Sequence, residues 1–284
     1  MGLRRELRRR RQRKVLSSWA GQTLGSGEPD LRNLIAGLRP VNTEHPLIRI
    51  GGKRDGGYLI PDDLEGISAC FSPGVGATTR FEEELARRYR ISCYLADASV
   101  TAPSFDPALA PWLDFERKFI GNRGAAPDVM RLNDWITAKC GPMANRRDHG
   151  RHDLLLQMDI EGGEYDVLPA TPGSTLRRFR ILVIEFHDLH RLFDAGWRYH
   201  AQRIFNKIIQ DFYCVHIHPC NFGSVVSAGG IDCPDVMEMT FLRKDRVQRP
   251  EPVLSAPHPL DRACNPWGPD IVLPDLFLGT SGGR

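Results

Sequence analysis

The chain has 284 residues, of which 41% are hydrophobic and 26% charged. This composition is typical of a globular protein with a sizeable core, and it excludes a fibrous or fully disordered chain. The net charge of +3 is unevenly distributed, because eight of the first 14 residues are Arg or Lys and the remainder is mildly acidic. No apolar run approaches the roughly 20 residues that a membrane-spanning helix needs.

Cysteine usage and the N-terminus bear on the cellular compartment. Seven cysteines scattered over the chain do not indicate a disulfide framework and favour a reducing environment. The basic N-terminus lacks the apolar stretch of a signal peptide, so we expect a cytoplasmic protein. Residues 1–14 could contact nucleic acid or an anionic membrane, but they hold almost no apolar or aromatic residues. A solubilising basic arm is the simpler interpretation.

Hydrophobic periodicity predicts the secondary structure in chain order. A short helix is expected at Asp30–Leu38, and two β-like runs flank a Gly-Asp-Gly turn within Ile48–Pro61. Further strands are predicted at 67–72, 91–97, 115–121, 153–162, 180–188, 213–219 and 235–245, and helices at 79–90, 129–140, 164–168 and 190–211. This alternation predicts an α/β fold with a mostly parallel, Rossmann-like sheet, closed by an antiparallel pair at one edge.

The segment SPGVGATTRFEEEL begins at Ser72, where a predicted strand meets a predicted helix. Gly74 and Gly76 allow a tight turn and a close approach of the backbone to a ligand at the helix N-terminus. The next predicted strand ends at Asp97, where a carboxylate can bind the hydroxyls of a ribose. Ser72, Gly74, Gly76 and Asp97 are therefore candidate ligands of a nucleotide-like cofactor.

Two features of this segment bear on the choice of cofactor. Position 79 is Thr, whereas the dinucleotide fingerprint has a third glycine there. Glu82, Glu83 and Glu84 crowd the first helical turn, where they would repel a diphosphate but tolerate a cationic sulfonium. The sequence thus favours S-adenosylmethionine over a nicotinamide dinucleotide.

The stretch LLLQMDIEGGEYDVL carries two acids out of a buried strand, Asp159 and Glu161. They follow the carboxyl end of that strand, where open α/β sheets bind their ligands. Gly162 and Gly163 keep the backbone small at this point, and Glu164 is expected to cap the short helix that follows. Asp159 and Glu161 are predicted to be catalytic, and Asp159 also to bind the cofactor.

Histidines suggest a general base. His187, in EFHDLH, is the favoured candidate because imidazole titrates near neutral pH, and His216 and His218 are alternatives. The alternating row CVHIHPC suggests zinc, but four ligands on one straight strand cannot all reach one ion. A site that joins His216 or His218 to Asp159 and Glu185 is geometrically possible, although we do not favour a bound metal.

The segment DIEGGEYDVL resembles the DIEGxEYxVL motif of the FkbM-type methyltransferases, a family of S-adenosylmethionine-dependent enzymes. The resemblance covers residues 46–245. Other similar segments follow in the family's order: RDGGYLIP, FSPGVGATTRFEEELA, LADASV, FERKFIG, VIEFHDL, VHIHPCNFG and PDVMEMTFLRK. The chain departs from the family at Ala77-Thr78-Thr79, where many members have an acidic or polar residue, and at HPCNFG, where paired asparagines are common.

The resemblance implies three parts of the chain and a reaction. Residues 46–245 would form the methyltransferase domain, between a basic arm with a short helix at 1–45 and a Pro-rich extension at 246–284. Methyl transfer would go from S-adenosylmethionine to a hydroxyl of a sugar, glycan or secondary metabolite. Gly74 and Gly76 would form the cofactor loop and Asp97 would bind the ribose, with Asp159 and Glu161 between cofactor and acceptor.

Three alternatives remain at this point. A nicotinamide-dependent oxidoreductase shares the fold class, and a nucleic-acid-modifying methyltransferase would use the basic arm. A non-catalytic module that binds S-adenosylmethionine without transferring its methyl group is the third.

Overall fold

The computed structural model describes residues 27–122, 126–141 and 153–279. The predicted basic arm therefore lies outside the described residues. The strands are β1 (Val41–Asn42), β2 (Leu47–Ile50), β3 (Tyr58–Pro61), β4 (Ile67–Pro73), β5 (Ser92–Ala96), β6 (Leu113–Glu116), β7 (Phe119–Ile120), β8 (Val129–Met130), β9 (Asp153–Met158), β10 (Phe179–Phe186), β11 (Phe212–Pro219), β12 (Val225–Ala228), β13 (Ile231–Pro234), β14 (Met237–Arg243) and β15 (Glu251–Pro252). The α-helices are α1 (Glu28–Leu38), α2 (Arg80–Tyr89), α3 (Leu132–Cys140), α4 (Glu164–Ala170), α5 (Gly173–Leu176) and α6 (Ala195–Asp211).

Seven of these strands form one sheet in the order β11-β14-β10-β9-β4-β5-β6. The five strands from β10 to β6 are parallel, and β14 runs antiparallel to both β10 and β11. The protein is therefore an α/β protein with a mostly parallel, Rossmann-like sheet and an antiparallel edge pair, as the sequence predicts. In such a sheet the carboxyl ends of the parallel strands share one edge, and ligands bind there.

Hydrophobic packing covers both faces of the sheet. Along β9, Leu154, Leu156 and Met158 point to the face that α1, α3, α4 and α6 cover. Leu155 points to the opposite face, which α2 and the β2–β3 hairpin cover. Because side chains alternate along a strand, Gln157 also points to this second face. The β2–β3 hairpin, predicted around the Gly-Asp-Gly turn, therefore covers the face on which Gln157 lies.

The structure differs from the sequence-based expectations at several places. The predicted strand 153–162 ends at Met158, and the predicted helix 190–211 begins at Ala195. The predicted strand 115–121 is divided, because β6 joins the main sheet whereas β7 pairs separately with β8. The predicted helix 129–140 begins only at Leu132, after β8. The connection between β11 and β14 contains the antiparallel hairpin β12–β13, which the periodicity does not predict. These differences lie at the ends of elements or at the edges of the sheet, and the central strands still lie where the sequence places them.

A network of buried ion pairs lies at the amino-terminal end of the central strands. Asp153, the first residue of β9, accepts hydrogen bonds from Arg180 Nε at 2.8 Å and from Arg243 Nη1 at 2.8 Å. Arg180 also contacts Asp63 at 3.2 Å, and Arg246 donates to the same carboxylate at 2.8 Å. Burial opposes the charge on Asp153, but the two arginines outweigh it and lower the pKa of this carboxyl.

The segment after β14 packs along the domain. Strand β15 pairs with β1, and the amide of Val253 donates to the carbonyl of Pro40 at 3.0 Å. Arg39 donates to the carbonyl of Leu276 at 3.0 Å, so this segment also contacts the end of α1. The division of the chain at residues 45 and 245 remains a prediction. No helix in the described ranges is long and apolar enough to span a membrane.

Candidate active site

The loop between β4 and α2 holds the predicted cofactor glycines. Gly74 and Gly76 have φ values of +86° and +62°, a left-handed conformation that favours glycine. The amide of Gly76 donates to Asp97 Oδ2 at 2.9 Å, and the amide of Ser99 donates to Asp97 Oδ1 at 2.7 Å. The structure thus brings Gly76 and Asp97 together at the carboxyl end of the sheet, as the sequence predicts.

Gly74 also contacts the DIEG motif. A Cβ atom at Gly74 would overlap the carbonyl oxygen of Asp159, which no side chain could tolerate. The amide of Asp159 donates to the carbonyl of Pro73 at 3.2 Å. The glycine loop and the DIEG motif are therefore in direct backbone contact.

Ser72 does not join these residues. Its side chain is fully buried beside Glu82 and Gln157, with its hydroxyl 2.6 Å from Gln157 Oε1 and also in contact with Glu82 Oε1. A serine hydroxyl has one proton, so a neutral Glu82 must donate to Ser72 if Ser72 donates to Gln157. This agrees with burial of Glu82, which raises its pKa to about 7.

The same contacts weaken one argument about the cofactor. Glu82 is buried, and Glu84 accepts a hydrogen bond from the amide of Gly51 at 2.9 Å and pairs with Arg88 at 2.6 Å. Glu83 accepts a hydrogen bond from the hydroxyl of Thr79 at 2.9 Å. The three acids therefore do not form the free negative surface that the sequence suggests as a barrier to a diphosphate.

Asp159 and Glu161 follow β9 directly and lie at the same edge of the sheet. Glu161 has a φ of +57°, an uncommon conformation for a residue other than glycine. Such strain is often found where a backbone is held in place for function. The side chain of Glu161 is 42% exposed, whereas that of Asp159 is 14% exposed. The Oδ1 atom of Asp159 is buried and has no hydrogen-bond partner among the described residues.

His187 follows β10 and lies among four carboxylates. Its Nε2 atom is 3.7 Å from Asp159 Oδ1, 3.7 Å from Glu161 Oε2 and 3.3 Å from Glu185 Oε1. Its Nδ1 atom is 3.3 Å from Glu164 Oε1. The three residues predicted to be catalytic, Asp159, Glu161 and His187, are therefore in contact with one another, and the carboxyl oxygens of Glu185 and Glu164 complete the surroundings of the imidazole.

This arrangement changes the protonation of the cluster. Burial opposes a charge on His187, but hydrogen bonds with Glu164 and Glu185 outweigh it and raise the pKa of His187 well above its usual value. Burial raises the pKa of Asp159 well above its usual value, and Glu185 adds to the effect while His187 opposes it. These directions favour a proton on His187 and make Asp159 a stronger base than an exposed aspartate.

The sequence interpretation misses the roles of Glu185 and Glu164. Glu185 precedes His187 by two residues on a strand, so the alternation of side chains already places both on one face. Glu164 is expected to cap α4, and its carboxylate does accept a hydrogen bond from the amide of Ile160 at 3.1 Å. That carboxylate also contacts His187, which no local pattern reveals.

The alternative histidines belong to a different group. His216 Nε2 lies 2.9 Å from Asp261 Oδ1, and His218 Nε2 lies 3.1 Å from Asp270 Oδ2. Both acids belong to the segment after β14. Among the described residues, neither histidine belongs to a group of possible metal ligands that contains Asp159 or Glu185, so the metal site that would join them is not formed there. A cavity of about 480 Å³ near Arg32 is lined by none of the predicted site residues.

Comparisons with known proteins agree with the resemblance seen in the sequence. Residues 143–212 match the family model described as the methyltransferase FkbM domain, which contains the DIEG motif and β10. This match confirms the predicted resemblance and supports methyl transfer as the class of reaction. No curated protein matches the chain. A solved structure of fibrillarin from Methanococcus jannaschii, titled a pre-rRNA processing protein, is 9% identical over 71% of this chain and 83% of its own, with a TM-score of 0.33. A similarity this weak supports no argument.

Proposed function

We propose that the protein transfers a methyl group from S-adenosylmethionine to a hydroxyl oxygen of a sugar, glycan or secondary metabolite. The observation that carries the proposal is the contact of His187 with Asp159 and Glu161 beside the glycine loop, where one buried oxygen of Asp159 has no hydrogen-bond partner among the described residues. The family match to residues 143–212 supports methyl transfer. The hydroxyl acceptor rests on the resemblance to the family and on the presence of a base.

The residues around the glycine loop fit the cofactor. A Cβ atom at Gly76 would meet nothing within 4 Å, so open space lies beside this backbone. Asp97 borders the loop, and its carboxylate has acceptor sites left for ribose hydroxyls beyond the two amides that it already binds. When bound, S-adenosylmethionine supplies a methyl group on a cationic sulfur, which a hydroxyl oxygen can attack as its proton leaves. The acids at this edge of the sheet would attract the sulfonium charge.

Asp159 is our candidate for the general base. Its Oδ1 atom has no hydrogen-bond partner among the described residues and can accept a proton from an acceptor hydroxyl, and its raised pKa makes it a stronger base than an exposed aspartate. His187 is the base expected from the sequence. Its raised pKa favours a different role, in which the imidazole partly opposes the rise in the pKa of Asp159 and fixes the orientation of that carboxylate.

Glu161 is our candidate for orienting the acceptor. Its side chain is the most exposed of the three and lies beside His187, so a substrate hydroxyl could reach both it and Asp159. Holding the acceptor oxygen in line with the reacting carbon would supply a large part of the rate.

The first test is a calorimetric titration of S-adenosylmethionine and S-adenosylhomocysteine into the wild type and Asp97→Ala. We expect both compounds to bind the wild type, and binding to weaken about tenfold or more in Asp97→Ala, a loss of roughly 1.4 kcal/mol. Asp128→Ala is the matched control, because this aspartate is exposed and follows no strand of the main sheet. It should bind like the wild type.

Other outcomes would select among the alternatives. If neither compound binds folded wild type, the methyltransferase proposal fails, and binding of a reduced nicotinamide cofactor would then favour an oxidoreductase. If the compounds bind but no hydroxylated acceptor in a broad panel releases S-adenosylhomocysteine, a non-catalytic binding module becomes the better description. Strongly salt-dependent nucleic-acid binding that is lost on deletion of residues 1–14 would favour a nucleic acid as the acceptor.

A further inference from the structure

A second group of metal-ligating side chains lies at the same end of the sheet, outside the cluster around His187. His218 of β11, Glu238 of β14 and Cys264 of the segment after β14 are all buried, and one donor atom from each lies within 4.8 Å of the others. We propose that these three residues bind a divalent transition-metal ion, for which zinc is the best fit to the donor set. The proposal concerns other residues than methyl transfer and does not depend on it.

Two short distances join the group, and each ends on a different oxygen of the Glu238 carboxylate, so an ion would bind both oxygens or turn the carboxylate toward one of them. Cys264 Sγ lies 3.3 Å from Glu238 Oε1, and His218 Nδ1 lies 3.4 Å from Glu238 Oε2. Tetrahedral ligands bound to zinc at about 2.0–2.3 Å are separated from one another by about 3.3–3.7 Å. An ion could therefore enter between these donor atoms with little movement of the backbone.

His218 is oriented as a metal ligand would be. Its Nε2 atom contacts Asp270 Oδ2 at 3.1 Å, so Nε2 carries a proton, and its Nδ1 atom faces Glu238 Oε2, where a metal ion would take the place of a second proton. The residue is 2% exposed, and Nδ1 has no hydrogen-bond partner in the described part of the chain. A histidine that binds a metal through one nitrogen commonly donates its other N–H to a carboxylate, as here.

The charges around the group also favour a cation. Glu238 lies directly opposite Glu185 in the antiparallel pairing of β14 with β10, and both side chains are buried. Like charges in this position destabilise a sheet, and Glu185 Oε2 has no hydrogen-bond partner among the described residues. Arg49 lies near Glu238 and Cys264, and His187 lies 3.3 Å from Glu185 Oε1, so part of this negative charge is compensated. A divalent ion would offset the remaining negative charge.

Cys220 offers a competing explanation for this group. Its side chain packs with that of Cys264 in one small buried cluster. Cys220 could supply a fourth ligand to the ion, or the two residues could form a disulfide after oxidation. The two possibilities differ in metal content and in the number of free thiols, so one set of measurements separates them.

The experiment is metal analysis of the full chain, purified without chelator from zinc-supplemented cells. We expect about one equivalent of zinc in the wild type and at least about a tenfold loss in Cys264→Ser. Cys140→Ser, which removes a half-buried thiol on α3, is the matched control and should keep its zinc. After exchange with Co²⁺, the wild type and Cys140→Ser should show thiolate-to-cobalt charge-transfer absorption, and Cys264→Ser should not.

Folding is checked separately, because the loss of metal could follow from misfolding. Circular dichroism should show a folded Cys264→Ser protein, and Glu238→Gln, which keeps the size of the side chain, should also lose zinc. The proposal is overturned if the wild type takes up no Zn²⁺ or Co²⁺, or if Cys264→Ser retains it. It is also overturned if fewer than all seven thiols react in denaturant with chelator and without reductant, since a disulfide would then explain the contact.

Discussion

The two ends of the central strands both bury charged side chains, but they do so in opposite ways. At the amino end, the carboxylates of Asp153 and Asp63 are each held by arginines at 2.8–3.2 Å. At the carboxyl end, Asp159 and Glu185 lie beside a single histidine, and one oxygen of each has no hydrogen-bond partner among the described residues.

The pKa values of the acids at the two ends shift in opposite directions. Arginines lower the pKa of Asp153 against the effect of burial, whereas burial and neighbouring acids raise the pKa of Asp159. These two residues stand at the two ends of one strand, β9, so strand propensity and overall composition cannot distinguish them. The comparison teaches that the partners of a buried charge, rather than its burial, separate a structural role from a functional one.

The largest effect is expected at the carboxyl end of the strands, where a substitution of Asp159 should change activity. Asp159→Asn should lower the rate of methyl transfer about 10²–10⁴-fold at saturating S-adenosylmethionine, because the base is lost. Its free energy of unfolding should not fall, because the change removes a poorly compensated buried charge. The pair of measurements is a methyl-transfer assay and urea unfolding, with Asp166→Asn on α4 as an exposed control. If Asp159→Asn clearly loses stability but keeps full activity, Asp159 has a structural role and not a catalytic one.

The same base sets the pH dependence. Because the pKa of Asp159 is raised, the wild-type rate should increase as the pH rises through a value above the usual carboxyl range near about 4. This acid limb should be absent in the residual activity of Asp159→Asn. A wild-type rate already constant from about pH 4 upward would contradict the assignment of the base.

At the amino end the expected effect is on stability. Arg180→Met leaves Asp153 and Asp63 short of a partner, so the free energy of unfolding should fall by about 3–5 kcal/mol. Arg177→Met is the matched control, because its ion pair with Asp211 is half exposed and should be worth less than about 1 kcal/mol. The binding of S-adenosylmethionine to the folded fraction should be unchanged in both variants. If Arg180→Met and Arg177→Met lose the same stability, the buried ion pairs at the amino end do not stabilise the fold more than an exposed pair does.

The smallest effect concerns Glu82, a buried acid whose side chain contacts the hydroxyl of Ser72. Its pKa is raised to about 7 in the folded protein, so its protonated form stabilises the fold at low pH and this contribution is lost as the pH rises through 7. Glu82→Gln mimics the protonated form. It should be more stable than the wild type by about 3 kcal/mol at about pH 8 and nearly equal to it at about pH 4.

Thermal unfolding at several pH values would test this prediction. Glu83→Gln is the control. The side chain of Glu83 is partly exposed, and glutamine at this position keeps an oxygen that can accept the hydrogen bond from Thr79. If Glu82→Gln and the wild type share one pH profile, Glu82 is ionised in the folded protein and the proposed direction of its hydrogen bond with Ser72 is wrong.

The sequence predicts the centre of the fold better than its edges. Long apolar runs such as β9 and β10 have no alternative to burial, so both strands lie where periodicity places them, although β9 ends at Met158 and the DIEG motif follows it instead of extending the strand to 162. The hairpin β12–β13 escapes that periodicity, although Gly229 and Gly230 form a two-residue glycine turn with φ values of +56° and +70°. Such a turn is a usable hairpin signal.

The candidate site was predictable only where it depends on local order. Gly76 and Asp97 follow adjacent strands, so a parallel sheet brings them together. The contacts of Cys264 and Asp270 with the sheet cross many residues of irregular chain, and no periodic pattern encodes such an approach. The roles of Asp159 and His187 depend on how many acids lie near them, and the sequence alone does not show which acids the fold brings together.

Gly74 joins the glycine loop to the DIEG motif, since its missing side chain leaves room for the carbonyl of Asp159. Its amide donates to the carbonyl of Ala96 at 2.8 Å, so the ends of β4, β5 and β9 are tied at one point. These strand ends form a fixed wall of the site, and any adjustment that admits a bulky acceptor has to come from elsewhere around it. A change at Gly74 would therefore disturb the binding of both reactants together, whereas a change at the more exposed Glu161 could alter the choice of acceptor while the cofactor wall stays intact.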